Sequence, residues 1–133
     1  MSDLCETRKG LATSDNNRFL RLWFEVSLSH ISFDTISNGS TINNGKRWYP
    51  INKGGEFHRW YGNRTYVINW ENDGFEIRNF KDAKGKLLSR PQNTNYNSKQ
   101  ALTWSKITTS TFSARFCEGN FLFDDAAAIC HHK

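Results

Sequence analysis

The sequence predicts a small α+β domain with short helices and a partial, mainly antiparallel sheet, and three observations point to it. At 133 residues, 37% hydrophobic and 14% aromatic, the chain suits one core, since domains typically run to roughly 100–150 residues. Phe19, Leu22, Trp23 and Val26 recur at helical spacing. Residues 66–70 alternate and are rich in strand-forming side chains, with shorter segments of the same kind nearer the end.

Taken in order, Ser14 or Asp15 is placed to cap a helix over residues 16–26, with Arg18, Arg21 and Glu25 outward. Residues 37–45 are polar and turn-rich, and they separate an N-terminal helix and linker (residues 1–45) from a basic and aromatic module (residues 46–133) within one compact domain. Residues 55–61 suit a short helix closed by Gly62, with Phe57 and either Trp60 or Tyr61 inward. The strand at 66–70 precedes a helix at 73–80, with Phe75, Ile77 and Phe80 partly buried, and a turn at Lys84-Gly85. A polar connection over 89–100 then leads to short strands at 102–109, 111–116 and 120–123. Trp23, Trp70 and Trp104 sit in apolar segments and read as core, because buried aromatics dominate small cores.

Composition narrows the function classes. Cys5, Cys117 and Cys130 are odd in number and widely spaced, which argues against a disulfide framework and for a reducing compartment. The polar start carries no signal peptide, and no apolar run approaches the roughly 20 residues of a membrane helix. These features predict a cytoplasmic protein with no membrane partner. Ten Lys and Arg against five acids lie between Lys46 and Arg90, so the whole net charge of +5 falls in that segment. A phosphate-facing surface has this bias, although Lys81, Lys84 and Lys86 are read as a solvated turn.

The densest signal is KRWYPINKGGEFHRWYGNRTYVINWEN, residues 46–72, where cations, rings and a Gly54-Gly55 pair interleave. Cations meet phosphate, rings stack on bases, and glycines allow close backbone approach. The candidate DNA contacts are Arg47, Trp48, Lys53, Gly54, Gly55, Arg59, Trp60, Tyr61 and Arg64. For Trp48, Trp60 and Tyr61 core and stacking roles are evenly balanced, and the glycines equally suit a plain turn. Arg90, held extended by Pro91, joins Gln92 and Asn93 as a polar set of the types that read guanine and adenine edges. No metal site is expected, since Cys130, His131 and His132 are adjacent and terminal, while Cys117 and His58 lack zinc-motif spacing.

Several blocks carry a family resemblance: KGLATSDNNRFLRLWFEV (9–26), RWYPINKGGEFHRWYGN (47–63), YVINWENDGFEIRNFKDAKGKL (66–87), SRPQNTNY (89–96) and LTWSKI (102–107). In this order they resemble the target-recognition region of PglX-type adenine-specific DNA methyltransferases of BREX phage-defence systems. Ser14 stands where that family usually has Gly, Ile51 where it has an aromatic, and His58 where it has a basic residue. The resemblance implies a fragment that contacts duplex DNA, with the catalytic remainder of the methyltransferase as a second partner. It also implies S-adenosylmethionine as the parent family's cofactor, held by a Gly-containing turn, and an Asn-Pro-Pro-Tyr-type motif for the flipped adenine. Pro50 and Pro91 are the chain's two prolines and are not adjacent, so that motif is absent. No cofactor and no enzymatic activity are therefore expected of this chain alone. The alternative reading is a truncated interaction or decoy fragment that docks on a methyltransferase or another defence protein without binding DNA.

Overall fold

The computed structural model describes residues 4–34, 40–97, 99–107 and 111–132. Two helices and eight strands form an α+β domain with two four-stranded sheets. The first sheet runs in the order β1 (Cys5–Arg8), β8 (Ala127–His132), β5 (Ala101–Ser105), β6 (Ala114–Cys117), antiparallel throughout. The second runs β2 (Leu20–Leu22), β4 (Tyr66–Asn69), β3 (Trp48–Asn52), β7 (Leu122–Phe123), with only β3 and β7 parallel. The turn at Asp124–Ala126 carries the chain from β7 to β8 and so joins the sheets.

Sheet two holds the larger core: Leu11, Phe19, Leu20, Tyr49, Ile51, Ile68, Trp70, Ile77 and Leu122, with Tyr66 and Phe80 packed on it. Phe80 meets Phe19 edge-on at 5.2 Å. Sheet one has a small cluster of Ala101, Phe123 and Ile129, with Tyr96 against it. Its other buried positions mix polar Thr103, Arg115 and His131 with Cys117 and Ala127.

Residues 16–26 are not one helix. Asp15 caps α1 (Asn16–Phe19) by accepting from the Arg18 amide at 3.0 Å, but the helix stops after four residues. Leu20–Leu22 then pair with Tyr66–Ile68 as an edge strand. Strand pairing wins because so short a helix has little stability of its own. A 3₁₀ turn at Trp23–Glu25 follows, so Trp23 lies on the surface beside Phe24 rather than in the core. Ser14 has φ of 61°, the left-handed region glycine tolerates best, which accounts for Gly at this position in the resembled family.

The helix expected over 55–61 is absent, and Phe57, Trp60 and Tyr61 all face solvent. That segment is tied down elsewhere, as described below, and makes no helical ladder. The strand at 66–70 is β4, and Trp70 beyond it is fully buried. Helix α2 (Glu71–Arg78) matches the predicted 73–80 approximately, although Asn72, Asp73 and Gly74 are left-handed and Phe75 is exposed. A side chain at Gly74 would collide with the Trp70 ring, whose nearest atom lies 2.7 Å from the Cβ position. The Lys84-Gly85 turn forms, with the Asp82 carboxylate accepting from the Lys84 and Lys86 amides. Trp104 is half-buried in β5. Parts of the predicted loop 37–45, connection 89–100 and strand 102–109 lie outside the described residues.

The cysteine expectation is corrected. Cys5 and Cys130 form a disulfide between β1 and β8, their Cα atoms 6.0 Å apart, a closeness of the chain's two ends that spacing alone could not reveal. Cys117 is a buried free thiol, pushed up to about 11 by burial. No helix among the described residues is long and apolar enough to cross a membrane.

Candidate nucleic-acid interface

The loop between β3 and β4, residues 53–65, is anchored at its start to the other sheet. A Cβ at Gly54 would lie 2.3 Å from the Ala126 carbonyl oxygen, so only glycine fits this approach. The Gly55 amide donates to Ser105 Oγ at 3.2 Å, and the Ser105 hydroxyl donates back to the Gly55 carbonyl at 3.1 Å. Asp124 is the hub beside them. Burial pushes its carboxyl up to about 6, opposed by nearby Lys53 and by the amides of Gly54, Ala126 and Ala127. Lys53 lies over the Tyr66 ring at 4.8 Å. Both glycine amides thus have partners within the chain.

Beyond this anchor the loop displays rings and cations. Trp60 is 73% exposed at φ of 65°, its carbonyl accepting from the Phe116 amide of edge strand β6 at 2.9 Å. Phe57, Arg59 and Trp60 form one wall of a cleft of about 280 Å³, and Thr111, Phe112, Ser113 and Ala114 form the other. The Arg59 guanidinium stands 6.0 Å over Phe57, and among the described residues it makes no ion pair. Arg64 is more committed: it covers Tyr61 at 5.2 Å and Phe121 at 4.9 Å, donates to the Phe116 carbonyl at 3.1 Å, and lies 3.9 Å from Glu118.

The remaining predicted residues fall into two other places. Arg47 and Trp48 open β3 and so lie at the far end of the β3–β4 pair from the loop. There the Arg21 and Arg47 guanidiniums flank the Trp48 ring at 5.7 and 5.6 Å, and Arg47 lies 3.4 Å from Glu76. Arg90 exchanges backbone hydrogen bonds with Ala12, its side chain exposed. Gln92 Nε2 donates to the Gly10 carbonyl at 2.8 Å and Asn93 Nδ2 to the Lys9 carbonyl at 2.9 Å. This segment shares a flank with the loop, because Leu11 bonds to Phe123 and the Asp124 amide bonds to Asn52. A groove of about 310 Å³ lined by Thr13, Ser14, Asn16, Asp124 and Asp125 runs between them.

Sequence reasoning missed Arg115, Ser105, Asp124 and Phe112. Arg115 lies on β6 directly beside Trp60 and is 2% exposed. Its Nη2 donates to Ser105 Oγ at 3.3 Å, but Nε and Nη1 have no partner, and burial draws its pKa down. The alternation of Ala114–Cys117 is the one sequence signal for an inward Arg115. His131 is likewise buried, its Nδ1 3.1 Å from the Gln100 carbonyl and its ring against Tyr96. Among the described residues no group of three His, Cys, Asp or Glu could hold a metal.

No protein-family model matches the chain. Two curated proteins do. The chain is 42% identical over 125 residues, 93% of its length, to the adenine-specific methyltransferase PglX of Lacticaseibacillus casei strain Zhang. It is 38% identical over 128 residues, 94% of its length, to the adenine-specific methyltransferase BrxX of Escherichia coli O9:H4 strain HS. In each case it spans about 10% of the relative. The resemblance read from the sequence blocks therefore holds, as similarity to a segment of a much longer protein.

Proposed function

We propose, on the premise that this chain is kin to a segment of adenine-specific methyltransferases, that it is a DNA-contacting part of a target-recognition region in a BREX-like phage-defence methyltransferase. It contacts duplex DNA and lacks methyl-transfer chemistry of its own. The observation that carries this reading is the 53–64 loop, which holds Arg59, without an ion pair among the described residues, and exposed Trp60 and Tyr61 on a framework fixed through Gly54, Ser105 and Asp124. Cations there offset phosphate charge and the rings offer stacking faces. Arg90 extends the contact along the neighbouring flank, Gln92 and Asn93 brace that segment, and Arg47 with Trp48 forms a second contact at the far end of β3.

S-adenosylmethionine does not fit the chain's one Gly pair after a strand. The space a cofactor would need at Gly54 is filled by the Ala126 backbone, and the Gly55 amide is spent on Ser105. With no adjacent prolines for an adenine-holding motif either, methyl transfer is assigned to the catalytic remainder of the methyltransferase, in the cytoplasm. Residues 46–133 supply most of the contact surface and residues 1–45 support it.

A second reading rests on the outer face of sheet one, where Leu102 and Phe116 lie opposite each other and are both exposed. An apolar face of this kind suits docking on the remainder of a methyltransferase without DNA contact. Fluorescence anisotropy with a labelled duplex separates the two. The first reading expects binding on the order of micromolar or weaker at low salt, falling as salt rises. It also expects clear weakening in the Lys53→Ala, Arg59→Ala double variant. Salt-independent binding, or none, favours the docking reading.

A further inference from the structure

We infer that the cleft between Trp60 and Phe112 seats an unstacked nucleobase, so that this end of the chain holds a single-stranded or locally unpaired strand in preference to an intact duplex. The inference rests on the reading that the loop meets nucleic acid, and it names the form of nucleic acid.

Three observations carry it. Phe57, Trp60 and Phe112 line one cleft and all are exposed, and Trp60 has no ring partner among the described residues. Free ring faces stack on bases of any sequence, but bases in an intact duplex are already stacked on one another. Secondly, the indole is displayed from a left-handed backbone, which is uncommon for a bulky residue, and is held there by the bond from Phe116. Strain of this kind persists where the surroundings enforce it and gathers at ligand clamps.

Thirdly, Arg59 lines the cleft and makes no ion pair among the described residues. The Ser105 hydroxyl that receives Arg115 also borders a small void of about 10 Å³, whose wall shares Phe57, Phe112 and Ser113 with the cleft and includes one carboxylate, Glu56. With Arg59 and Arg64 at the loop, the charge favours a polyanion over an aromatic peptide.

The experiment compares three labelled probes by anisotropy at low salt: a mixed-sequence single strand, a perfect duplex, and the same duplex with one bulged base. The single strand and the bulged duplex are expected to bind about tenfold tighter than the perfect duplex, the discrimination that one stacked base supplies. Trp60→Ala and Phe112→Ala should abolish that preference, bringing single-strand and bulged-duplex affinity down to that of the perfect duplex, while leaving the thermal midpoint unchanged. Arg59→Ala should weaken single-strand binding without lowering the midpoint. Equal affinity for all three probes, or a Trp60→Ala variant that keeps the preference, overturns the inference and leaves the duplex reading intact. Absence of binding to any probe overturns both.

Discussion

The two sheets are built on different terms. In sheet two the central strands β3 and β4 are buried nearly end to end, on both faces, and their side chains join Trp70, Phe19 and Leu122 in one aromatic and aliphatic core. In sheet one, β8 alternates buried and half-buried positions, so one face is closed and the other open. Its closed face carries Arg115, Thr103 and His131 among few apolar side chains, and a disulfide ties edge strand β1 to its neighbour β8. The contrast teaches where each kind of energy sits. Sheet two supplies most of the apolar burial that drives folding, whereas the closed face of sheet one is richer in polar side chains; incompletely bonded groups occur in both, at Asn69 and Trp70 as well as at Arg115 and His131.

Substitutions can break that contrast. The largest effect is expected at Trp70, which is fully buried: Trp70→Ala should cost about 3–5 kcal/mol and unfold the domain at moderate temperature, read by circular dichroism. Retention of a cooperative melt near the parental midpoint would deny sheet two its role. Next comes the disulfide. Reduction, or Cys130→Ser, should lower stability by about 2–4 kcal/mol, because the link closes a span of 125 residues. An unchanged denaturant midpoint in reductant would mean that packing alone secures sheet one. A matched pair sharpens the comparison further: Ile68→Ala in sheet two should cost more than Ile129→Ala in sheet one, within a range of about 2–5 kcal/mol, since the looser site collapses more easily.

A smaller effect is expected from pH. The raised Asp124 carboxyl binds a proton more readily folded than unfolded, so its contribution to stability grows as pH falls from above about 6 toward 4. Buried His131, whose pKa is lowered, acts oppositely over the acidic side of its usual range. The difference between parent and Asp124→Asn melts isolates the first term, and it should narrow on acidification in favour of the parent by on the order of 2 kcal/mol. A constant difference across that window would remove the buried carboxylate from the hinge between the sheets. Smallest of all, Lys81, Lys84 and Lys86 changed together to Ala should alter stability by no more than about 0.5 kcal/mol per site. Their replacement should leave DNA binding in place, and loss of binding there would move the contact surface to the α2 side.

What the sequence by itself determined was local. The Asp15 cap, the β4 strand, the Lys84-Gly85 turn and the burial of Trp70 follow from near neighbours, and so each was legible. The concentration of cations and rings in residues 46–72 was legible too, as was kinship with a methyltransferase segment. Besides β2, which was read as part of a helix, three strands escaped notice for identifiable reasons. Polar β1 and Ala-rich β8 have weak strand preference until they pair with each other. In β3, Pro50 reads as a strand breaker, yet β7 pairs only with Ile51 and Asn52, so its missing amide donor falls outside that ladder.

Tertiary structure alone decided which of the clustered residues act together. The β3–β4 pairing sends Arg47 and Trp48 to one end and Lys53 to Arg64 to the other, although they are continuous in the chain. Pairing also set the face of every strand residue. A one-residue change of register exchanges the two faces of a strand, so whether Arg115 is a surface cation or a buried one beside Trp60 depends on partners from β5 and the 53–65 loop. Such partners lie far away in sequence, and only folding brings their charges, rings and hydroxyls within reach of one another.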